Sequence, residues 1–241
     1  MEGEEMISAE NLRKHFGRIV ALDGINLDIP EGVSLILGPN GGGKSTFLKL
    51  IAGIYRPTSG RVRVFGKNPW KNEELKLKMG VSFDPPAVPS LISGGEWFKF
   101  IADVKGFGED EIERVAGLFG IGYLNEPIRN YSSGMRKKLS LAGAFIGQPE
   151  LVLLDEPLAN LDFDNVRLMV RTLKSLRKDG TSFLIISHVW KPLYPIVDFV
   201  AVIAGGKLLM SGDARELKRE VEMLFDYPAD IQKDQQGTKQ P

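Results

Sequence analysis

Between Tyr131 and Asp162 the chain reads YSSGMRKKLSLAGAFIGQPELVLLDEPLANLD. A Ser/Gly turn, Ser132-Ser133-Gly134, stands where a helical pattern begins, and a serine there can bind the free N–H groups of a first helical turn. Leu151-Val152-Leu153-Leu154 is apolar at every position, the pattern of a strand buried on both faces. It delivers Asp155 and Glu156 at its carboxyl end and is stopped by Pro157. Ligands of α/β sheets bind at that end, so both carboxylates are candidate chemical groups. A Leu161-Asp162 turn follows, ahead of a helix expected from about Asn165 to Lys178.

Far upstream, Gly38-Pro39-Asn40-Gly41-Gly42-Gly43-Lys44-Ser45-Thr46 fits G-x-x-x-x-G-K-[ST]. An apolar run, Val33–Leu37, precedes it and a helical pattern, Phe47–Ala52, follows, which is the strand–loop–helix context the motif requires. Backbone N–H groups must curl around phosphate oxygens, and glycines permit the dihedrals and close approach that side chains would block. The helix starting near Lys44 aims its positive end at the phosphates. Lys44 is expected to reach the β- and γ-phosphates, and the Ser45 hydroxyl to meet Mg²⁺. Asp155 offers that ion a further oxygen, directly or through water. Glu156 is suited to orient and deprotonate an attacking water, a role worth roughly 10²–10⁴-fold in rate.

The composition suits an enzyme of this kind. A chain of 241 residues buries roughly 70–75% of its unfolded surface and needs no disulfide or metal staple. Lys plus Arg balance Asp plus Glu at 31 each, so no overall field favours nucleic acid or anionic lipid. There is no cysteine, as a reducing compartment allows. No apolar run approaches the ~20 residues needed to span a bilayer, and the opening MEGEEMISAE lacks a signal-peptide pattern. The expected location is cytoplasmic.

Spaced apolar residues over Ile7–Phe16 and Ile19–Ile29, broken by Gly17-Arg18 and Pro30-Glu31-Gly32, predict an antiparallel sheet at the start. Arg61–Phe65 and Gly80–Phe83 predict further strands, with helical character over Trp70–Met79. From Asp84 the texture changes: Pro85, Pro86 and Pro89 force an extended loop. Helical patterns then run over Gly94–Val104, Glu109–Phe119 and Ser133–Ile146. Strands resume at Leu151–Leu154, Ser182–Ile186, Phe199–Ala204 and Lys207–Met210, before a terminal helix over Arg215–Phe225 and a polar tail, Gln235–Pro241. The fold class is α/β: a P-loop core with a largely parallel sheet, an N-terminal antiparallel β subdomain and an inserted α-helical lobe. The chain reads as a single domain, with residues 1–83 and 149–212 forming the core, 84–148 the lobe, and 213–241 the terminal helix and tail.

The segments Gly38–Thr46, Tyr131–Met135, Leu151–Glu156, Leu161-Asp162 and Ser187-His188, in this order and spacing, resemble the ATP-binding subunit of an ABC transporter. The resemblance covers about Asn11 to Gly212. It implies an ATPase that forms a homo- or heterodimer of such subunits, head to tail around two ATP molecules with Mg²⁺. Ser132, Ser133 and Gly134 of one subunit would cover the γ-phosphate held by the other's Lys44. It further implies that His188 contacts the γ-phosphate, that Phe16 stacks on adenine, and that Asp162 reports between the two sites. Separate transmembrane permease subunits would hold the protein at the inner face of the membrane, with a groove near Trp97, Phe98 and Phe100 as their dock. Core packing is the bland reading of those three aromatics.

Two departures stand out. The family's usual turn is Leu-Ser-Gly-Gly-Gln, whereas this chain has Tyr131-Ser132-Ser133-Gly134-Met135. Asp84 replaces the usual glutamine; as a hard oxygen donor it is an expected third contact to the metal. Both departures resemble the sodium/drug-exporter branch. A non-transport ABC switch and a weakly hydrolysing regulator are the alternatives. The short span from Asp84 to Tyr131 leaves no room for the long coiled coil of DNA-maintenance members.

Overall fold

The computed structural model describes residues 5–159 and 161–226; the expected tail, Gln235–Pro241, lies outside them. Nine strands and seven helices alternate among the described residues. β1 (Glu5–Phe16), β2 (Ile19–Pro30) and β4 (Ser59–Val64) form an antiparallel sheet in the order β2-β1-β4. A second sheet has the order β5-β6-β7-β3-β8-β9, from β5 (Met79–Ser82), β6 (Leu151–Asp155), β7 (Ser182–Ile186), β3 (Val33–Leu37), β8 (Phe199–Ala204) and β9 (Lys207–Asp213). Its pairings are parallel except β8 with β9. β9 outlasts the expected Met210 because its ladder with β8 continues to Phe199 opposite Asp213.

Side chains alternate across a strand, and the central strands are apolar on both faces for that reason. Val152 and Leu154 enter one core while Leu151 and Leu153 enter the other. β7 does likewise, with Phe183 and Ile185 opposed to Leu184 and Ile186. The second core joins this sheet to the antiparallel one through Met6, Leu22, Ile25 and Phe47. The first receives α3 (Gly94–Lys105), α4 (Glu109–Phe119) and α5 (Ser133–Gly143), whose Phe98, Phe119, Leu139 and Leu141 are buried in it. These three helices occupy the chain between β5 and β6 and make the inserted lobe.

α5 is shorter than its periodicity predicts. After Gly143 the N–H groups of Ala144, Phe145 and Ile146 bond three residues back rather than four, to Leu141, Ala142 and Gly143. The tighter turn brings this end of the helix against β5. α6 (Phe163–Lys178) starts two residues before its apolar pattern, because Asp162 caps it by accepting the Asn165 N–H at 2.8 Å. α1 (Lys44–Ile51), a one-turn α2 (Glu73–Leu77) and α7 (Lys218–Asp226) complete the helices; α7 starts three residues later than the expected Arg215.

The lobe meets the sheet edge where Gly80 leaves no room for a side chain. A Cβ at Gly80 would sit 1.7 Å from the Ala144 carbonyl oxygen, a backbone atom that cannot swing away. Gly80→Ala should therefore lower stability by about 1–3 kcal/mol, seen as a reduced urea midpoint; an unchanged midpoint would mean that α5 can retreat freely.

Candidate active site

β3 ends at Leu37 and the chain then curls through Gly38–Gly43 into α1. Gly38 has φ 144°, and a Cβ there would lie 1.9 Å from the Ile203 carbonyl oxygen on β8, so glycine is required for both conformation and space. Lys44 opens α1 and is only 6% exposed. Its Nζ donates to the carbonyl oxygens of Gly38 at 2.8 Å and Pro39 at 2.9 Å, holding the loop around it. Burial pushes the Lys44 ammonium down, while the Glu156 and Asp155 carboxylates oppose that shift.

Those carboxylates arrive from β6, which is separated from β3 by β7. Asp155 is 2% exposed. Burial pushes its carboxyl up, and a hydrogen bond from the Ser45 hydroxyl pulls it back. Glu156 adopts φ 51°, the left-handed region that a non-glycine residue enters at a cost of about 1–3 kcal/mol. Its N–H donates to the Ile186 carbonyl at 2.8 Å. Its Oε2 accepts the His188 N–H at 2.9 Å, and its Oε1 lies 3.3 Å from His188 Nε2. The strained turn thus swings Glu156 out of the sheet and clamps it to the residue that follows β7.

A cleft of 540 Å³ gathers these groups: Asn40 to Thr46, Asp84, Asp155, Glu156 and His188 all line it. Ile19, Val20 and Ala21 form its apolar side, with Ile19 69% exposed. Phe16 is not in the lining. It is the ladder partner of Ile19 and packs edge-on against Tyr55 at 5.2 Å, with Lys14 Nζ 4.9 Å from its ring centre. Ile19 and Val20 escaped the sequence reading because two apolar residues on a β-strand signal core before they signal a ligand wall.

Ser132, Ser133 and Gly134 are also absent from the cleft lining. Ser132 caps α5, its Oγ accepting the Met135 N–H at 3.1 Å. Both serines are exposed, while Tyr131 anchors the turn from inside by donating its hydroxyl hydrogen to the Tyr123 carbonyl at 2.7 Å. Asp162 lies outside the cleft as well, and the Asn165 backbone and side-chain N–H groups hold its carboxyl below the usual carboxylate range.

A residue that sequence reading passed over sits under the cleft. Lys137 is 2% exposed, and its Nζ donates to Asp84 Oδ1 at 3.0 Å and to the Asp155 carbonyl at 3.0 Å. Its spacing was a usable signal: Ser133, Lys137 and Leu141 share one helical face, and Leu141 is buried.

The donor set suits Mg²⁺. Ser45 and Asp155 supply hard oxygens in contact with each other. No group of three or more His, Cys, Asp or Glu among the described residues is placed to hold a metal by itself. That agrees with an ion which keeps waters and shares phosphate oxygens. Asp84, which the sequence offered as a further contact to the metal, accepts a hydrogen bond from Lys137 Nζ at 3.0 Å.

On the lobe side, Trp97 and Phe100 stack at 5.7 Å and Phe100 is 58% exposed, whereas Phe98 is core. Trp97 lines a groove with Val81, Phe83, Val88, Ile101 and Lys105. Burial pushes Lys105 down to about 8, and its Nζ donates to the Met79 carbonyl at 2.9 Å.

A glycine cradle closed by a lysine, facing strand-end carboxylates across one intervening strand, makes this a P-loop nucleoside triphosphatase. Residues 22–159 match the family model for ABC transporters, and the chain belongs to that family, as an ATP-binding, ATP-hydrolysing cassette. It is 30% identical over 92% of its length to the lantibiotic transport ATP-binding protein SrtF of Streptococcus pyogenes, covering 96% of that protein. With the bacitracin transport ATP-binding protein BcrA of Enterococcus faecalis it shares 32% identity, over 93% of this chain and 74% of the relative. Subunits named for import of Fe(3+) ions or glucose match at similar identity. The fold agrees with that of the ATP-binding cassette MJ0796, solved as a dimer in a post-hydrolysis state bound to ADP and Pi. The TM-score is 0.79 at 23% identity, over 87% of this chain and 99% of that one.

Lys44→Ala removes the cation at the centre of the cradle and should weaken ATP binding at least tenfold, as read by isothermal titration. Unchanged affinity would refute the phosphate-loop assignment.

Proposed function

We propose that this chain powers an exporter by closing head to tail with a second copy, or a related subunit, around two molecules of ATP. One observation carries the reading: the groups suited to hold and attack a triphosphate line one cleft, while Ser132 and Ser133 stand exposed outside it at the start of α5. A helix N-terminus with an exposed hydroxyl is suited to a γ-phosphate, and in this arrangement the phosphate is presented by the partner's cleft. Lys44 and the N–H groups of Gly41–Thr46 bind the phosphates. Phe16, Ile19 and Val20 offer the adenine an apolar side.

Mg²⁺, held by Ser45 and Asp155, would neutralise charge on the phosphate oxygens as the bond breaks. Glu156 Oε1 and Oε2, fixed by His188, orient a water in line with the γ-phosphate and take its proton. His188 holds Glu156 through its N–H and presents its ring to the same oxygens. Asp162, the exposed cap of α6 outside its own cleft, is the residue we assign to contact with the partner's site.

No described helix is long and apolar enough to cross a membrane; the transport path we assign to separate membrane subunits. The Trp97–Phe100 stack, in which Trp97 is half-buried and Phe100 exposed, lies beside the Val81–Lys105 groove and is the dock we assign to them, with the protein at the inner face of the membrane. Export as the direction draws on Asp84 and the Tyr-Ser-x-Gly-Met turn, and on likeness to the lantibiotic and bacitracin transport subunits.

Glu156→Gln should lower ATP hydrolysis by about 10²–10⁴-fold and leave an ATP-bound dimer visible by light scattering; a persistent monomer in ATP and Mg²⁺ would sink the sandwich. Phe100→Glu should release the chain from native membranes in sedimentation assays while its unfolding temperature stays within a few degrees. Retention on the membrane would move the dock elsewhere.

A further inference from the structure

The cleft carries one carboxylate more than its chemistry uses, and that carboxylate has a buried cation of its own. The Lys137 side chain is 3% exposed and that of Asp84 37%. Lys137 comes from α5 of the lobe, and Asp84 follows β5 at the edge of the main sheet. The lysine also donates to the carbonyl of Asp155, the same residue whose carboxylate meets Ser45. A buried ammonium without a counter-ion is costly, and Asp84 supplies the carboxylate. With Lys137 engaged, the negative charge that Asp84 adds to the cleft is cancelled locally.

We infer that Lys137 is a positioning residue: it holds Asp84 as its counter-ion, keeps that carboxylate off the metal, and so sets the site's preference for magnesium-bound over metal-free ATP. The inference rests on the ATP–Mg²⁺ reading above. It reassigns Asp84 from metal donor to half of a neutral pair, and leaves Ser45 and Asp155 as the chain's contacts to the ion. Removing the lysine exposes a full negative charge beside the phosphates, which attracts Mg²⁺ and repels bare ATP. Removing the aspartate leaves a positive charge with the reverse effects. Opposite signs from the two single changes are the mark of charge compensation, because a purely structural latch would move both variants the same way.

The test is isothermal titration of the full chain with ATP, once in excess EDTA and once in saturating Mg²⁺, reading the ratio of the two dissociation constants. Lys137→Gln should raise the preference for Mg²⁺ about tenfold and Asp84→Asn should lower it about tenfold. Asp84→Asn combined with Lys137→Gln should return to within about twofold of the wild-type ratio, since the amides restore polar contacts without charge. Single variants that shift together, or not at all, overturn the inference. A double variant that keeps the Asp84→Asn loss also overturns it, by making Asp84 a direct metal donor. If thermal unfolding shows that Lys137→Gln does not fold, the other two variants decide: an unaltered ratio in Asp84→Asn refutes compensation, and a wild-type ratio in the double variant supports it. Wild-type protein that binds ATP in neither buffer refutes the nucleotide reading itself, and this inference with it.

Discussion

Charge buried at the end of a sheet is the constraint on which the molecule is organised. Lys44, Lys137 and Asp155 are 6%, 2% and 2% exposed, and removing such ions from water costs several kcal/mol each unless partners replace the solvent. Each has them. Lys44 is held by two carbonyls of its own loop, Asp155 by the Ser45 hydroxyl, and Lys137 by Asp84 and the Asp155 backbone. The partners come from β3, α1, β5, α5 and β6, so satisfying the charges fixes how these elements meet. The polar cluster specifies the geometry, and the two apolar cores on either side supply the stability.

The same constraint explains why the lobe is tied to the site by more than hydrophobic contact. Phe98, Phe119 and Leu139 bury the lobe in the core, but apolar contact is tolerant of small slips. The bonds of Lys137 are not, since a shift of an ångström would leave an ammonium without partners. Gly80 adds a steric limit from the other side, with the Ala144 carbonyl lying where a side chain would stand. A displacement of α5 would therefore pull on the Asp155 backbone, whose carbonyl accepts from Lys137.

Glu156 shows how strain serves chemistry. An unstrained continuation of β6 would send this side chain into a packed layer, since alternate positions of the strand enter one core or the other. The positive φ redirects it into the cleft, where the Ile186 carbonyl and His188 hold it. The strained residue is held on both sides, its N–H by the Ile186 carbonyl and its carboxylate by the His188 N–H.

Much of this was legible in the sequence. The phosphate loop was readable because glycine at Gly38 and a lysine at the helix start answer a local requirement of backbone and charge. The β6 run was readable because burial on both faces leaves no polar position. Helix and strand limits were off by a few residues where capping or ladder pairing decided them, as at Asp162 and β9. What the sequence by itself determined was the set of local devices: the cradle, the strand-end carboxylates and the Ser132 helix start. Only the tertiary structure decided that β7 separates the two halves of the site, that Phe16 stands beside the cleft instead of in it, and that Asp84 faces Lys137. The physical reason is range: turns, caps and periodicities act over a few residues, whereas Asp84 and Lys137, 53 positions apart, meet only once a sheet edge and a packed helix bring them together.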